Sequence, residues 1–152
     1  MENKYQVKIK TARNQSDTNL IESLKTGVLE EKKLLADCLI QLSEIMKRNI
    51  HAKSGYSSLH KYCLSILPLS KGAVYRRTQV AGKIHRYPIL LDLIGSGKLT
   101  LTAASVIVGN IGANTSDSQI MSFVGKTVDE IKDLLGESDR HEAPDSISRT
   151  KD

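Results

Sequence analysis

Residues 55–107 read GYSSLHKYCLSILPLSKGAVYRRTQVAGKIHRYPILLDLIGSGKLTLTAASVI, and the rest of the chain is understood outward from this stretch. Ser57 or Ser58 caps a short helix over Leu59–Leu67, with Leu59, Tyr62, Cys63, Ile66 and Leu67 inward. Pro68 ends it. Ser70 caps a second, basic helix over about Lys71–Tyr87 whose inward positions are Val74, Thr78, Ala81 and Ile84. Tyr87-Pro88 forces a break, because the residue before a proline avoids helical angles, and Pro88 suits the first turn of a helix over Ile89–Ile94. Gly95-Ser96-Gly97 is a turn. Thr100 or Thr102 then caps a nearly all-apolar helix to about Ile111, expected at the buried centre of the molecule.

Upstream, Ser16 or Asp17 caps a helix to about Lys25, and Gly27 closes it. A long helix follows over about Val28–His51, striped by Leu34, Leu35, Cys38, Leu39, Leu42, Ile45 and Met46. Lys53-Ser54-Gly55 breaks it. Residues 1–15 are polar and basic without helical periodicity. Tyr5, Val7 and Ile9 alternate, so a short strand is one reading and a loose arm the favoured one. Downstream, Ser116 or Asp117 starts a helix to about Val124. Thr127-Val128-Asp129-Glu130 is a capping box opening a last helix to Leu135, closed by Gly136. The sequence therefore predicts an all-α fold, a compact multi-helix bundle with an embedded helix–turn–helix. Residues 1–15 are a flexible N-terminal arm and residues 16–136 the helical domain, with the helix–turn–helix at about 57–87. Residues 137–152 are expected to be a disordered C-terminal tail.

The charge is unevenly spread. Between Lys47 and Lys98 ten Lys and Arg stand against one acid, Asp92. Residues 1–46 balance at seven and seven, and residues 117–152 carry five basic and nine acidic residues. The cationic excess is thus concentrated on the helix–turn–helix segment, the footprint of a surface that meets phosphate. The residues expected to contact nucleic acid are Lys61, Ser70, Lys71, Tyr75, Arg76, Arg77, Gln79, Lys83 and Arg86. Arg and Gln read base edges in a major groove, while Lys and the first amides of a helix meet phosphate. Charge and pattern alone leave a second reading open, in which this is an ordinary solvated face.

Part of the chain resembles a known arrangement. LLADCLIQLSEI, then GYSSLHKYCLSILPLS, then AVYRRTQVAGKIHRYPILLDLIGSGKLTLTAASVI and TVDEIKDLLG are similar to the helical domain that precedes the nuclease domain in many bacterial HNH endonuclease proteins. The likeness covers about Leu34–Leu135. Residues 55–107 also resemble, more weakly, the helix–turn–helix of ParB-type partition proteins. The first resemblance implies DNA association. It does not bring catalytic equipment, because an HNH site needs paired histidines and an asparagine around a metal ion. Here His51, His60, His85 and His141 are scattered, and no H-x-x-x-H, H-H or C-x-x-C is present. The tail HEAPDSISRTKD looks like the beginning of a linker toward such a nuclease.

Other chemistry finds no support. G-x-S-x-G is absent, and Gly95-Ser96-Gly97-Lys98 does not satisfy G-x-x-x-x-G-K-[ST]. No cofactor, metal or small-molecule substrate is expected. Cys38 and Cys63 sit at apolar helical positions and read as buried free thiols. The N-terminus lacks an export signal and no segment reaches membrane-spanning length, so a reducing cytoplasm is the expected location. The expectation is a non-catalytic domain that binds double-stranded DNA. The alternatives are a protein-interaction or homodimerisation module built on the long helix, or the DNA-binding remnant of an HNH endonuclease.

Overall fold

The structure, a computed structural model, describes residues 3–142. Those residues form nine helices and no strand: α1 (Lys4–Arg13), α2 (Asp17–Lys47), α3 (Ile50–Lys53), α4 (Leu59–Ile66), α5 (Lys71–Ala81), α6 (Ile89–Gly95), α7 (Leu101–Val108), α8 (Asp117–Met121) and α9 (Val128–Glu142). The chain is all-α, as its periodicities require.

Short polar caps start most of these helices. The hydroxyls of Ser16, Ser58, Ser70 and Thr100 accept from Asn19, Lys61, Ala73 and Ala103 amides. Each satisfies a donor that the first helical turn leaves unpaired. Ser116 and Gln119 form a reciprocal capping box at α8. Thr127 and Glu130 form another at α9, where the Thr127 amide donates to Glu130 at 2.8 Å and the Glu130 amide donates to Thr127 at 3.1 Å.

Several boundaries differ from the sequence reading. Residues 4–13 are helix α1 rather than a loose arm. The Asn3 carboxamide caps it, accepting from the Tyr5 and Gln6 amides at 3.0 Å, and Lys10 and Arg13 sit in its last turn, where the dipole favours cations. The expected break at Gly27 does not occur, since α2 runs unbroken through it. A single glycine in a long helix costs only about 0.5–1 kcal/mol, less than the flanking turns contribute. At its other end α2 stops at Lys47, because Asn49 takes a left-handed conformation (φ 55°), so His51 belongs to α3. The basic helix is shorter than expected, ending at Ala81 with Gly82 as its cap; residues 82–86 are turn. Helix α7 likewise ends at Val108 rather than Ile111. Gly136 does not stop α9, which continues to Glu142. The remainder of the expected tail, residues 143–152, lies outside the described residues.

The core joins residues from most of the helices. Leu39 and Leu42 of α2 pack with Val74, Val80 and Ala81 of α5, Leu90 and Ile94 of α6, and Ala104 and Ile107 of α7, all buried. Helix α7 is central as its composition demands, lying between α5 and α9. Its small Ala103 and Ala104 let neighbouring backbones approach. Between α6 and α7 the chain turns through Gly97 (φ 83°), and the Leu99 amide reaches back to the Leu93 carbonyl at 3.0 Å. That left-handed position favours glycine.

Only half of α2 takes part. Leu35, Leu39, Leu42 and Met46 face the body. Leu20, Ile21, Leu24 and Val28 continue the same stripe toward the N-terminus, yet they are 43%, 52%, 68% and 42% exposed.

Candidate nucleic-acid interface

Helices α4 and α5 are joined by residues 67–70. The Leu67 amide closes α4 on the Cys63 carbonyl at 2.9 Å, and Pro68, with no amide proton, ends the ladder. The Ser70 hydroxyl then accepts from the Ala73 amide at 3.2 Å and starts α5. Helix α5 is held from inside by α2, α4 and α7. Its buried side is Val74, Val80 and Ala81. At about 100° per residue, the opposite side carries Lys71, Gly72, Tyr75, Arg76 and Gln79.

The nine residues expected at the interface occupy different places, Ser70 as the cap of α5. Lys71, Tyr75, Arg76 and Gln79 run along the outward side of α5. Lys71 is exposed, Tyr75 is 53% exposed, and Arg76 and Gln79 are half-buried. The Arg76 guanidinium folds back over Gly72, whose missing side chain leaves room: a Cβ there would stand 3.3 Å from Arg76 Nη1. Lys61 is exposed in the first turn of α4, where its amide donates to the Ser58 hydroxyl at 3.1 Å. Lys83 falls in the turn after α5.

The other two arginines have structural employment. Arg77 points toward the body, half-buried, and its Nη1 donates to the Ala73 carbonyl one turn back at 3.1 Å. Arg86 donates through Nη2 to the Ala113 carbonyl and lies 5.9 Å from the Tyr87 ring centroid. Beside it the Tyr87 hydroxyl donates to the Gly112 carbonyl at 2.7 Å, with its ring buried. These two bonds tie the turn after α5 to the loop after α7. The tie spans about 25 residues of sequence, so no local pattern announces it.

The electrostatics of this side are one-signed. Among the described residues, no carboxylate pairs with Lys61, Lys71, Arg76 or Lys83. The acid at the edge, Glu44 of α2, is taken up by Arg48, whose Nε donates to it at 2.8 Å. That hydrogen bond, with the charges of Arg48, Lys47 and His85, holds the Glu44 carboxyl below its usual range. Asp92 is exposed on α6, outside the α4–α5 segment.

Elsewhere the chemistry is sparse. A cleft of about 750 Å³ between the 109–115 loop and α9 is lined by Asn110, Thr115, Gln119, Ser122, Phe123 and Leu135 among others, with no titratable side chain among the described residues. Among the described residues no three His, Cys, Asp or Glu gather as metal ligands, and no helix is long and apolar enough to cross a membrane. Cys38 and Cys63 are free thiols. Burial, and then the nearby Cys38, push the Cys63 thiol up. Compared with family models, curated proteins and solved structures, the chain matches none.

Proposed function

We propose that this chain is a non-catalytic helical domain that binds double-stranded DNA through α5 and the start of α4. The observation that carries the reading is the outward side of α5, where Lys71, Arg76 and, in the turn beyond, Lys83 pair with no carboxylate among the described residues, with Tyr75 and Gln79 between them. Lysines and an arginine on one side neutralise phosphates and release counterions. Gln79, between them, is the side chain suited to a base edge, adenine. The Ser70 cap leaves the first amides of α5 near the same surface, where an anion is favoured. A rigid helix backed by α2, α4 and α7 presents these groups without further ordering.

The two helices joined by residues 67–70 suit a helix–turn–helix, in which the second helix enters the groove. The likeness to the region preceding HNH nuclease domains is part of this reading, as is the weaker ParB-type likeness. The histidines, His51, His60, His85 and His141, are scattered along the sequence, which favours a binding role over HNH-type hydrolysis.

The test is a fluorescence-anisotropy titration of duplex DNA with the wild type and with the Lys71→Ala, Arg76→Ala, Lys83→Ala triple variant. The variant is expected to melt like the wild type and to bind at least about 100-fold more weakly at low salt, each lost phosphate contact contributing roughly 1 kcal/mol. Undiminished affinity in the folded variant would remove the proposed surface.

A further inference from the structure

Helix α1 gives nothing to the core and packs along no other helix, and none of its residues is buried. Its charge is of one sign. Lys4, Lys8, Lys10 and Arg13 stand in it with no acid, and all four are exposed. Among the described residues no carboxylate pairs with Lys4, Lys8 or Arg13. The next acid along the chain, Asp17, sits in the first turn of α2, where the helix dipole favours it. The placing of the cations says more than their number. At about 100° per residue, Lys4 and Lys8 share one side of α1, and Lys10 and Arg13 share the roughly opposite one. A helix about 10–12 Å across fills a major groove about 12 Å wide, and a helix so placed has a row of phosphates on either flank. A lipid surface asks for another pattern, one apolar face opposite the charge. Val7 stands about 160° around the helix from Tyr5, so α1 has no such face.

We infer that α1 is a second nucleic-acid element, which grips phosphates of the same duplex beyond the part met by α5. The choice of duplex DNA as the partner rests on the reading of α5; the charge pattern of α1 does not. Helix α2 sets the reach. From Asp17 to Met46 it rises about 44 Å. Met46 lies beside the end of α5, its Cε 3.7 Å from where a Cβ on Gly82 would stand. One turn of duplex spans about 34–36 Å, so a duplex that meets both elements is longer than one turn. Salt screens exposed charges beyond about 8 Å under physiological conditions. Cations at the far end of α2 therefore strengthen binding only by touching DNA there. A helix of 10 residues is marginal by itself, and phosphates on both flanks would hold it.

Fluorescence anisotropy of the full chain on duplexes of ~10 and ~30 base pairs, over a salt series, tests this. The Lys4→Ala, Lys8→Ala, Arg13→Ala variant changes only exposed positions, to the best helix former, so it is expected to melt like the wild type. On the longer duplex it should bind at least about 10-fold more weakly. It should also take about 2.7 off the magnitude of the slope of log K against log salt, at about 0.9 per contact, separately from what the α4–α5 side contributes. On the shorter duplex the loss should be small. Lys4→Arg with Lys8→Arg keeps the charge and should bind as the wild type does. Wild-type affinity and slope in the alanine variant overturn the inference and leave the α5 reading standing. A loss in this variant with none in the Lys71→Ala, Arg76→Ala, Lys83→Ala variant sustains α1 and removes α5. No binding by the wild type overturns both. Equal losses on the two duplexes overturn the reach along one duplex. Pelleting with phosphatidylserine vesicles that the alanine variant loses, without any change on DNA, assigns α1 to a lipid surface and overturns the inference.

Discussion

Replacing Tyr87 with Phe removes a single oxygen and asks what the tie between the turn after α5 and the loop after α7 contributes. The ring is 4% exposed and stays in place, so packing is unchanged. The lost bond is the 2.7 Å contact to the Gly112 carbonyl. A neutral hydrogen bond contributes about 0.5–1.5 kcal/mol net. Gly112 is exposed, so water replaces the hydroxyl at its carbonyl and the cost stays near 1 kcal/mol. For a chain of this length that lowers Tm by about 2–4 °C. Arg86→Ala removes the neighbouring bond to Ala113. Exposure halves the value of a charged donor, which again gives about 1 kcal/mol. Because both bonds anchor the same loop, the double variant should depart from additivity by at least about 0.5 kcal/mol. Chemical denaturation of the four proteins measures this cycle. Tyr87→Ala, which also empties the ring site, should cost about 3–5 kcal/mol and calibrates the scale. Tyr87→Phe within about 0.3 kcal/mol of wild type, or strict additivity with Arg86→Ala, would refute the tie.

Ser70→Ala removes the cap of α5 and should destabilise the protein by about 1 kcal/mol, read as a lowered denaturation midpoint; Ser70→Asp should recover most of it. The raised pKa of Cys63 has two readouts. Its buried thiol should be alkylated far more slowly than that of the half-buried Cys38, which peptide mass mapping resolves. Because the folded form holds its proton more tightly than the unfolded one, the stability linked to Cys63 is intact below the ordinary thiol range. It falls as pH rises through that range toward the higher folded value, and Cys63→Ala should flatten this alkaline decline.

Wherever a short polar residue precedes an apolar stripe, the sequence predicts a helix start that the structure contains. Ser58, Ser70, Thr100, Ser116 and Thr127 are all caps, because capping is a local matter of one side chain and one amide. Helix ends were less legible. Gly27 and Gly136 were expected to stop helices and do not, since glycine ends a helix only where the chain turns. One unexpected stop, at Asn49, is made by a left-handed residue that sequence marks weakly; the early ends of α5 at Ala81 and α7 at Val108 are others. Helix α1 was hidden because its apolar residues alternate at Tyr5, Val7 and Ile9 while its cap, Asn3, sits within a polar run. At the candidate interface, the outward side of α5 followed from counting turns from Val74. The inward place of Arg77 follows from the same count and its partner, the Ala73 carbonyl, is local; the attachment of Arg86 does not, because it depends on the Ala113 carbonyl, supplied by tertiary packing. The bare half of α2 was also illegible, since a stripe of leucines looks the same whether or not anything covers it.

The most direct test of the nucleic-acid reading is the salt dependence of duplex binding. Four outward cations, Lys61, Lys71, Arg76 and Lys83, each meeting one phosphate, predict a slope of log K against log salt of about −3.6 per protomer. Each of the four replaced by alanine should reduce that slope by about 0.9. A slope near zero, or one that the four substitutions leave unchanged, would contradict the claim that this side of the molecule lies against DNA.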